Sequence, residues 1–177
     1  MRPDDVMFSA SVRAEQARHG SRDAYARRAA NGGFVTELSD DAVTFIRGRN
    51  SAFLATASAD GQPYVQHRGG PPGFIEVLDR CTLAFAEYPG NRQFISSGNL
   101  AENERAFLFL IDYGAARRLK LWGIARIADE PDLLARLPAP NTVKVKCAVV
   151  FAIRAIDWNC SKYIPRRQPP PAQSNVG

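Results

Sequence analysis

Histidine and cysteine are scarce in this sequence of 177 residues. The two histidines are His19 and His67, and the three cysteines, Cys81, Cys147 and Cys160, form no Cys-x-x-Cys pair. A zinc site or a disulfide framework needs more such residues at closer spacing, so we expect no metal site. Because one of the two histidines lies in a polar N-terminal stretch, a Ser-His-Asp triad is also disfavoured.

Long apolar runs are missing as well. No stretch approaches the roughly 20 apolar residues that a membrane-spanning helix needs, and the first residues lack the apolar segment of a secretory signal. The P-loop, the Gly-x-Gly-x-x-Gly motif before a helix and the Gly-x-Ser-x-Gly motif of hydrolases are absent too. These absences predict a soluble, cytoplasmic domain whose function rests on other residues.

Positive charge exceeds negative charge, with 23 Lys and Arg against 18 Asp and Glu and a formal net charge of +5. This balance favours an anionic partner, which could be a phosphate-bearing cofactor, an acidic substrate or nucleic acid. Most aromatic residues lie inside apolar runs rather than between basic residues. Since single-stranded nucleic acid is bound by exposed rings among basic side chains, nucleic acid is the least favoured of the three.

The composition divides the chain into three segments. Residues 1–37 are polar and rich in Arg and Ala, and they predict an N-terminal helical extension with one or two helices between Val12 and Ala30. Residues 38–165 contain the apolar runs and predict one domain of ordinary size. Residues 166–177 are rich in proline and polar side chains, which predicts a flexible tail.

Apolar residues of the central segment follow the spacing of strands. A short helix is expected to begin at Ser39, and Asp60-Gly61 between two strand-like runs predicts a β-hairpin. The predicted strands cover residues 53–58, 63–67, 81–86, 105–112, 119–127 and 143–154. This pattern predicts a mainly β (α+β) fold, an antiparallel six-stranded split β-barrel with short flanking helices.

Two polar stretches interrupt the pattern. Residues 66–68 (Gln-His-Arg) end the second strand, and residues 90–93 (Gly-Asn-Arg-Gln) are predicted to begin a short helix that ends at Gly98. Unpaired amides at a helix start, beside an arginine, form an anion site suited to phosphate. A helix cap at Asn91 with a solvated Arg92 explains the same residues equally well.

Longer motifs, in their order along the chain, resemble a known family. They are residues 55–74 (ATASADGQPYVQHRGGPPGF), 89–93 (PGNRQ), 98–103 (GNLAEN) and 117–123 (RRLKLWG). The chain resembles the FMN-binding split-barrel proteins, the superfamily of pyridoxamine 5'-phosphate oxidase, and within it the broad subgroup of oxidase-related flavoproteins. The likeness extends over about residues 20–165.

In that family FMN lies at a homodimer interface, and the resemblance implies the roles of the matching residues here. The second strand would line the flavin, Arg92 would pair with the phosphate, and Lys120 would approach the ring from a facing strand as a cation. The cofactor-binding residues implied are Gln66, His67, Arg68, Asn91, Arg92, Gln93, Ser96, Ser97, Asn99, Arg118, Lys120, Trp158, Asn159 and Cys160. The catalytic residue stays open, and its candidates are His67, Lys120 and Tyr163.

The sequence departs from the family near its C-terminus. The vitamin-B6 oxidases have a substrate-binding arginine there, and Ile164 stands at about that position here. A substrate phosphate that lacks this cation loses a charge-assisted contact worth about 1.5–3 kcal/mol. Pyridoxamine phosphate is therefore not the expected substrate. The neighbouring Tyr163 could donate a hydrogen bond to a substrate or pack, and packing is slightly favoured.

Two functions are compatible with this resemblance. The first is an FMN-dependent oxidoreductase, a homodimer that acts on an unidentified small organic substrate or on NAD(P)H. The alternative is a non-catalytic module that binds flavin or deazaflavin and has a stress or sensing role. Haem, which the same barrel holds in some proteins, is disfavoured because its best axial ligand, His67, already has a role at the flavin.

Overall fold

Seven strands and six helices form the part of the chain that the computed structural model describes, residues 1–88, 90, 92–139, 144–159 and 162–165. The helices are α1 (Pro3–Met7), α2 (Ala10–Arg18), α3 (Arg22–Ala30), α4 (Asp40–Arg47), α5 (Ile95–Glu102) and α6 (Pro131–Leu134). The strands are β1 (Ser51–Ala57), β2 (Pro63–Gly69), β3 (Ile75–Asp79), β4 (Thr82–Ala86), β5 (Arg105–Asp112), β6 (Arg117–Ala128) and β7 (Ala148–Asn159).

All seven strands belong to one antiparallel sheet with the order β2-β1-β5-β6-β7-β4-β3. A contact between its two ends shows that the sheet is curled. The guanidinium of Arg68 on β2 lies 2.6 Å from the carboxylate of Glu87, which follows β4. These two strands stand far apart in the strand order, so their contact closes the sheet part of the way to a barrel. The predicted class, an antiparallel split barrel with short flanking helices, is confirmed.

The predicted strand number, six, was one too low. The missed strand is β3, an edge strand of five residues that includes Glu76 and Asp79. Its register with β4 shifts between Val77 and Asp79. Short, irregular edge strands with charged residues carry little of the alternation by which strands are recognised in a sequence.

The core lies on the concave side of the curled sheet. Every second residue of β1 is buried, namely Ala52, Leu54 and Thr56, as expected for a strand with one face turned inward. The largest fully buried side chains come from six strands, from α4 and from the loop before β3: Phe74, Phe85, Phe151, Ile46, Leu54, Ile75, Leu83, Leu108, Leu110, Leu119, Leu121 and Val149.

The hairpin and the first helix of the domain form where the sequence predicts them. β1 and β2 pair antiparallel around the turn that contains Asp60 and Gly61. Gly61 has a φ of +92°, a conformation that glycine adopts without steric cost. Ser39 caps α4, since its Oγ accepts a hydrogen bond of 3.2 Å from the amide of Ala42.

The predicted bounds of the next helix were wrong. α5 begins at Ile95 rather than near Asn91, which lies outside the described residues, and it continues through Gly98 to Glu102. Glycine inside a helix costs about 1 kcal/mol relative to alanine. The burial of Leu100 in the core offsets this cost, so tertiary packing decides the extent of the helix.

The last strand begins later than its alternating residues predict. Residues 144–147 precede β7, which continues to Asn159 instead of ending at residue 154. β7 pairs with β6 along its whole length and with β4 over Ala148–Ala152. The positions of its partner strands therefore set its bounds.

The N-terminal helices lie against the barrel of their own chain. The ring centroid of Phe8 lies 5.4 Å from that of Tyr25 and 5.4 Å from that of Phe34. Val35 forms an isolated antiparallel bridge with Ile156 of β7, and α1 also contacts β7. These contacts place the extension beside the part of the sheet where β6 and β7 pair.

The domain boundaries stay predictions at residues 37–38 and 165–166, and residues 166–177 lie outside the described part of the chain. Within that described part, no helix is long and apolar enough to cross a membrane. The expected location in the cytoplasm also stays a prediction.

Candidate functional site

The predicted site residues on β2 point to two sides of the sheet, because side chains alternate along a strand. Gln66 and Arg68 point inward, in register with the core residues Leu54 and Ala52 of β1. His67 points outward and is exposed. The three consecutive residues that the sequence groups together therefore cannot present their side chains to one surface.

On the inner side, Gln66 holds α5 in place. The hydroxyl of buried Ser96 donates a hydrogen bond of 2.8 Å to Gln66 Oε1, which leaves the amide nitrogen of Gln66 to donate elsewhere. One turn later, Asn99 Nδ2 donates a bond of 3.0 Å to Thr56 Oγ1 on β1. Three predicted cofactor residues, Gln66, Ser96 and Asn99, are thus brought together by the docking of α5 on the hairpin.

The amino end of α5 has an unusual backbone. Arg92 has a φ of 61° and Phe94 a φ of 53°, the left-handed region that side chains other than glycine rarely adopt. Phe94 is the N-cap, and its side chain makes no cap hydrogen bond. The exposed Arg92 lies just before the first turn of α5, so the helix start predicted at Asn91 falls three to four residues later. The anion site itself stays a prediction.

Arg68 closes the split of the barrel. Its side chain is 8% exposed and pairs with Glu87 at 2.6 Å. The Arg68 Nε and Nη2 atoms and the Glu87 Oε2 atom are buried without a hydrogen-bond partner in the described part of the chain. Buried polar atoms of this kind normally meet water or a ligand. The pair lies in the same region as Tyr88, whose hydroxyl donates a 3.0 Å bond to the carbonyl of Pro138.

On the outer side, five residues form a row across the sheet. Strand register places His67 beside Phe53, Phe53 beside Phe109, Phe109 beside Lys120, and Lys120 beside Asp157. Neighbouring strands lie about 4.8 Å apart, so His67 and Lys120 are separated by about 14 Å along this row. The structure thus keeps two of the candidate catalytic residues well apart within one protomer.

At the far end of the row, Lys120 is paired with a buried carboxylate. Its Nζ lies 2.9 Å from Asp157 Oδ2 and 5.1 Å from the ring centroid of Trp122. Arg118, another predicted cofactor residue, is two residues away on the same outward side of β6 and pairs with Asn159 of β7. Arg118 and Lys120 therefore form one cationic group at the end of the outer face.

At the C-terminal end of β7, Trp158 belongs to the core rather than to an open cofactor edge in the protomer. Its ring meets Phe45 of α4 at 5.0 Å, and the guanidinium of Arg117 covers it at 4.3 Å. Asn159 ends β7, its side chain is outside the described part, and Cys160 lies wholly outside it.

Two of the four residues described after that gap differ in burial. Tyr163 is 90% exposed and has a φ of 65°, so the expectation that it packs was wrong for the protomer. Ile164 is buried, with 8% of its surface exposed. A buried apolar side chain at this position cannot pair with a substrate phosphate.

Sequence reasoning missed an aromatic cluster on the outer face of β1, β5 and β6. Phe107 meets Trp122 edge to face at 4.9 Å and stacks with Phe109 at 6.5 Å, and Phe53 lies 6.4 Å from Phe109. All four side chains are only half-buried. The alternation of Phe107 and Phe109 along β5, opposite the buried residues of that strand, is the signal that could have revealed it.

The cysteines and acidic residues show no metal-binding geometry. Within the described ranges, no group of three or more His, Cys, Asp or Glu residues could hold a metal ion. Burial raises the pKa of the Cys147 thiol, and burial together with the nearby Glu37 and Asp79 raises that of Cys81. These two thiols are therefore poor nucleophiles at neutral pH.

The family model of pyridoxamine 5'-phosphate oxidase matches residues 38–158 of this chain. This range contains the strands β1 to β6, almost all of β7, and the loop that precedes α5. No curated protein matches the chain.

Three solved structures have a similar fold at low sequence identity. HupZ from Group A Streptococcus is 16% identical, with a TM-score of 0.54, over 74% of this chain and 99% of that one. A putative pyridoxamine 5'-phosphate oxidase from Lactobacillus delbrueckii is 22% identical, with a TM-score of 0.53, over 70% and 95%. A protein from Clostridium acetobutylicum related to general stress protein 26 is 12% identical, with a TM-score of 0.50, over 67% and 85%.

Proposed function

Because this chain belongs to the pyridoxamine 5'-phosphate oxidase family, we propose that it is an FMN-binding oxidoreductase that acts as a homodimer. Its substrate would be a small organic molecule or NAD(P)H rather than pyridoxamine phosphate. The observation that carries this proposal is the open amino end of α5, where a strained loop presents Arg92 beside the first turn of a helix whose N-cap residue, Phe94, provides no side-chain acceptor.

The residues at this helix end fit the phosphate of FMN. A phosphate group offers several acceptor oxygens and a negative charge, and the site offers a guanidinium and the first backbone amides of a helix. Arg92 would be the charge partner, and Gln93 and Ser97 lie beside the same amides. The amide nitrogen of Gln66, whose Oε1 accepts the bond from Ser96, adds a donor from β2. Strain in non-glycine residues is typical of binding loops, which also favours a ligand here.

The outer face supports a homodimer. Its half-buried aromatic cluster, Phe53, Phe107, Phe109 and Trp122, continues to Val65 on the edge strand, which is 59% exposed. Contiguous apolar surface of this kind marks interaction sites. A second copy of the chain would bury it in a two-fold symmetric contact.

A dimer would also complete the site. The start of α5 lies beside β2, where Ser96 bonds to the inward-pointing Gln66, whereas Arg118 and Lys120 lie on β6, three positions further along the sheet. Lys120 points to the outer side, so within one protomer the two groups face opposite sides of the sheet. Across a two-fold axis on the outer face, the cations of one subunit would approach the α5 end of its partner.

When bound, FMN would supply the two-electron chemistry, which the protein need not provide itself. The residues of the chain would bind and orient it: Arg92 and the α5 amides at the phosphate, and Lys120 as a fixed positive charge near the ring. The buried, apolar Ile164 argues against a substrate phosphate at that position. This is why we expect a substrate other than pyridoxamine phosphate.

The direct test is to purify the protein, record its absorption spectrum, and identify the chromophore released by heat. We expect a flavin spectrum, FMN as the released compound, and bleaching of the bound flavin by NAD(P)H or an organic donor under anaerobic conditions. Bound FMN that no donor reduces would replace the oxidoreductase with a flavin-binding module. A colourless protein that takes up no added FMN would overturn the proposal.

A further inference from the structure

The carboxylate of Asp157 lies between two cations that come from distant parts of the chain. Its Oδ2 is 2.9 Å from Lys120 Nζ, and its Oδ1 is 2.8 Å from Nη2 of Arg28, which lies 129 residues earlier. Asp157 is 8% exposed. Each carboxylate oxygen therefore has its own cation, and the position of one cation is linked to that of the other.

Arg28 is itself firmly held. Its Nε donates a hydrogen bond of 3.2 Å to the carbonyl of Gly33, and its guanidinium covers the ring of Phe34 at 4.4 Å. A β-carbon at residue 33 would collide with the Arg28 side chain, so this approach requires glycine. Three contacts thus fix the arginine at the point where it meets Asp157.

Arg28 lies in the N-terminal extension, ahead of the range 38–158 that matches the family model. Asp157 and Lys120 lie inside that range. The extension thus adds a charge to a group of residues that the barrel itself contributes. Two cations and one carboxylate leave this group with one net positive charge.

We propose that Arg28 is a positioning residue for the flavin site: through Asp157 it holds Lys120 on the outer face and keeps the group net positive. This inference rests on the proposed function. Reduced FMN carries more negative charge than oxidised FMN, so a net positive group favours the reduced form. The N-terminal extension thereby sets how readily the bound flavin is reduced.

The charges predict shifts of opposite sign for two substitutions. Arg28→Ala leaves a neutral Lys120–Asp157 pair, so reduced FMN should lose affinity relative to oxidised FMN. Asp157→Asn leaves two cations without their counter-charge, so reduced FMN should gain relative affinity. If Arg28 and Asp157 only held the site in shape, both substitutions would loosen it. Both would then shift the ratio of reduced-FMN affinity to oxidised-FMN affinity in the same direction.

The experiment is an anaerobic redox titration of bound FMN against a reference dye, in the full-length protein and its variants. We expect Arg28→Ala to lower the ratio of reduced to oxidised affinity about fivefold to tenfold, the order expected for one partly screened unit charge. Arg28→Lys should restore most of the ratio. Arg27→Ala is the matched control, because Arg27 is an exposed neighbour on α3 with no ion pair to a described residue.

Two outcomes would overturn the inference while the proposed function stands. In the first, FMN binds but the redox titration of Arg28→Ala matches that of Arg27→Ala. In the second, Arg28→Ala and Asp157→Asn shift the ratio of reduced to oxidised FMN affinity in the same direction. If the unsubstituted protein binds no FMN, both the proposed function and this inference are wrong. Arg28 is partly exposed, so Arg28→Ala should fold, and far-ultraviolet circular dichroism checks this.

Discussion

The amino ends of α4 and α5 are built in opposite ways. At α4 the hydroxyl of Ser39 accepts a hydrogen bond from the helix, and two acidic residues, Asp40 and Asp41, occupy the first turn. At α5 the cap residue Phe94 provides no side-chain acceptor and has a left-handed backbone, and the first turn has no acidic residue. The cap residue of α4 thus binds a helix amide with its side chain, and the cap residue of α5 does not.

This difference separates stability from function within one domain. α4 carries Phe45 and Ile46 into the core, so the cap at its closed amino end supports folding. The open end of α5 has a strained loop and a cap residue without a side-chain acceptor, features that cost stability and favour a ligand there. The substitutions below act on one end and should leave the other unchanged.

The largest effect is expected at the open end. Arg92→Ala should weaken FMN binding by about 2–3 kcal/mol, because it removes a charge-assisted contact to the phosphate. Titration of the apoprotein with FMN, followed by the quenching of flavin fluorescence, measures this. Arg27→Ala, which removes an equal charge from α3, should bind FMN like the unsubstituted protein. Equal affinities for the two variants would remove Arg92 from the site.

At the closed end, Ser39→Ala should lower the free energy of unfolding by about 1 kcal/mol, because the amide of Ala42 loses its acceptor. FMN affinity should not change. Urea denaturation provides the comparison, with Ser39→Thr, which keeps a capping hydroxyl, as the control. A loss of FMN binding in Ser39→Ala with its fold intact would contradict the separation of the two ends.

A smaller effect, of opposite sign, should follow from relieving the strain at α5. Phe94→Gly should stabilise the apoprotein by about 0.5 kcal/mol, because the left-handed conformation costs a non-glycine residue more than glycine loses in chain entropy. Phe94 is 64% exposed, so little packing is lost. Thermal unfolding measures the gain, and Phe94→Ala, which keeps the β-carbon, should show none.

The smallest effect concerns the free energy of unfolding at acid pH. The hydrogen bond from Arg117 holds the pKa of Asp41 below its usual value. A carboxylate with a lowered pKa in the folded state stabilises above its unfolded pKa of about 4, and this stability is lost as the pH falls through the folded value. Asp41→Asn should therefore flatten the decline in unfolding free energy below about pH 4. Parallel curves for the two proteins between pH 3 and 6 would exclude this contribution.

Local signals in the sequence were enough for the α4 end and the hairpin. Ser39 before two acidic residues predicts a capped helix, and Asp60-Gly61 between two apolar runs predicts the turn. The α5 end could not be predicted in the same way. Its start is delayed by positive φ values at Arg92 and Phe94, and no residue type announces a left-handed backbone at arginine or phenylalanine.

The candidate site was only partly predictable, for two physical reasons. First, side chains alternate along β2, so Gln66 and Arg68 point to one side of the sheet and His67 points to the other. A sequence motif that groups the three residues does not reveal this. The contact of Asp157 with Arg28 joins residues far apart in the chain, so only the folded structure brings them together. The family resemblance identified the type of fold.

The most direct test of the account is a mixed dimer of Arg92→Ala and Lys120→Glu subunits, purified through two different tags. If each FMN site takes Arg92 from one subunit and Lys120 from the other, the mixed dimer contains one unsubstituted site and one doubly substituted site. We predict that it binds about one FMN per dimer with the affinity of the unsubstituted protein, while each single-variant dimer binds more weakly. A mixed dimer that binds no better than the single-variant dimers would contradict a site shared between subunits.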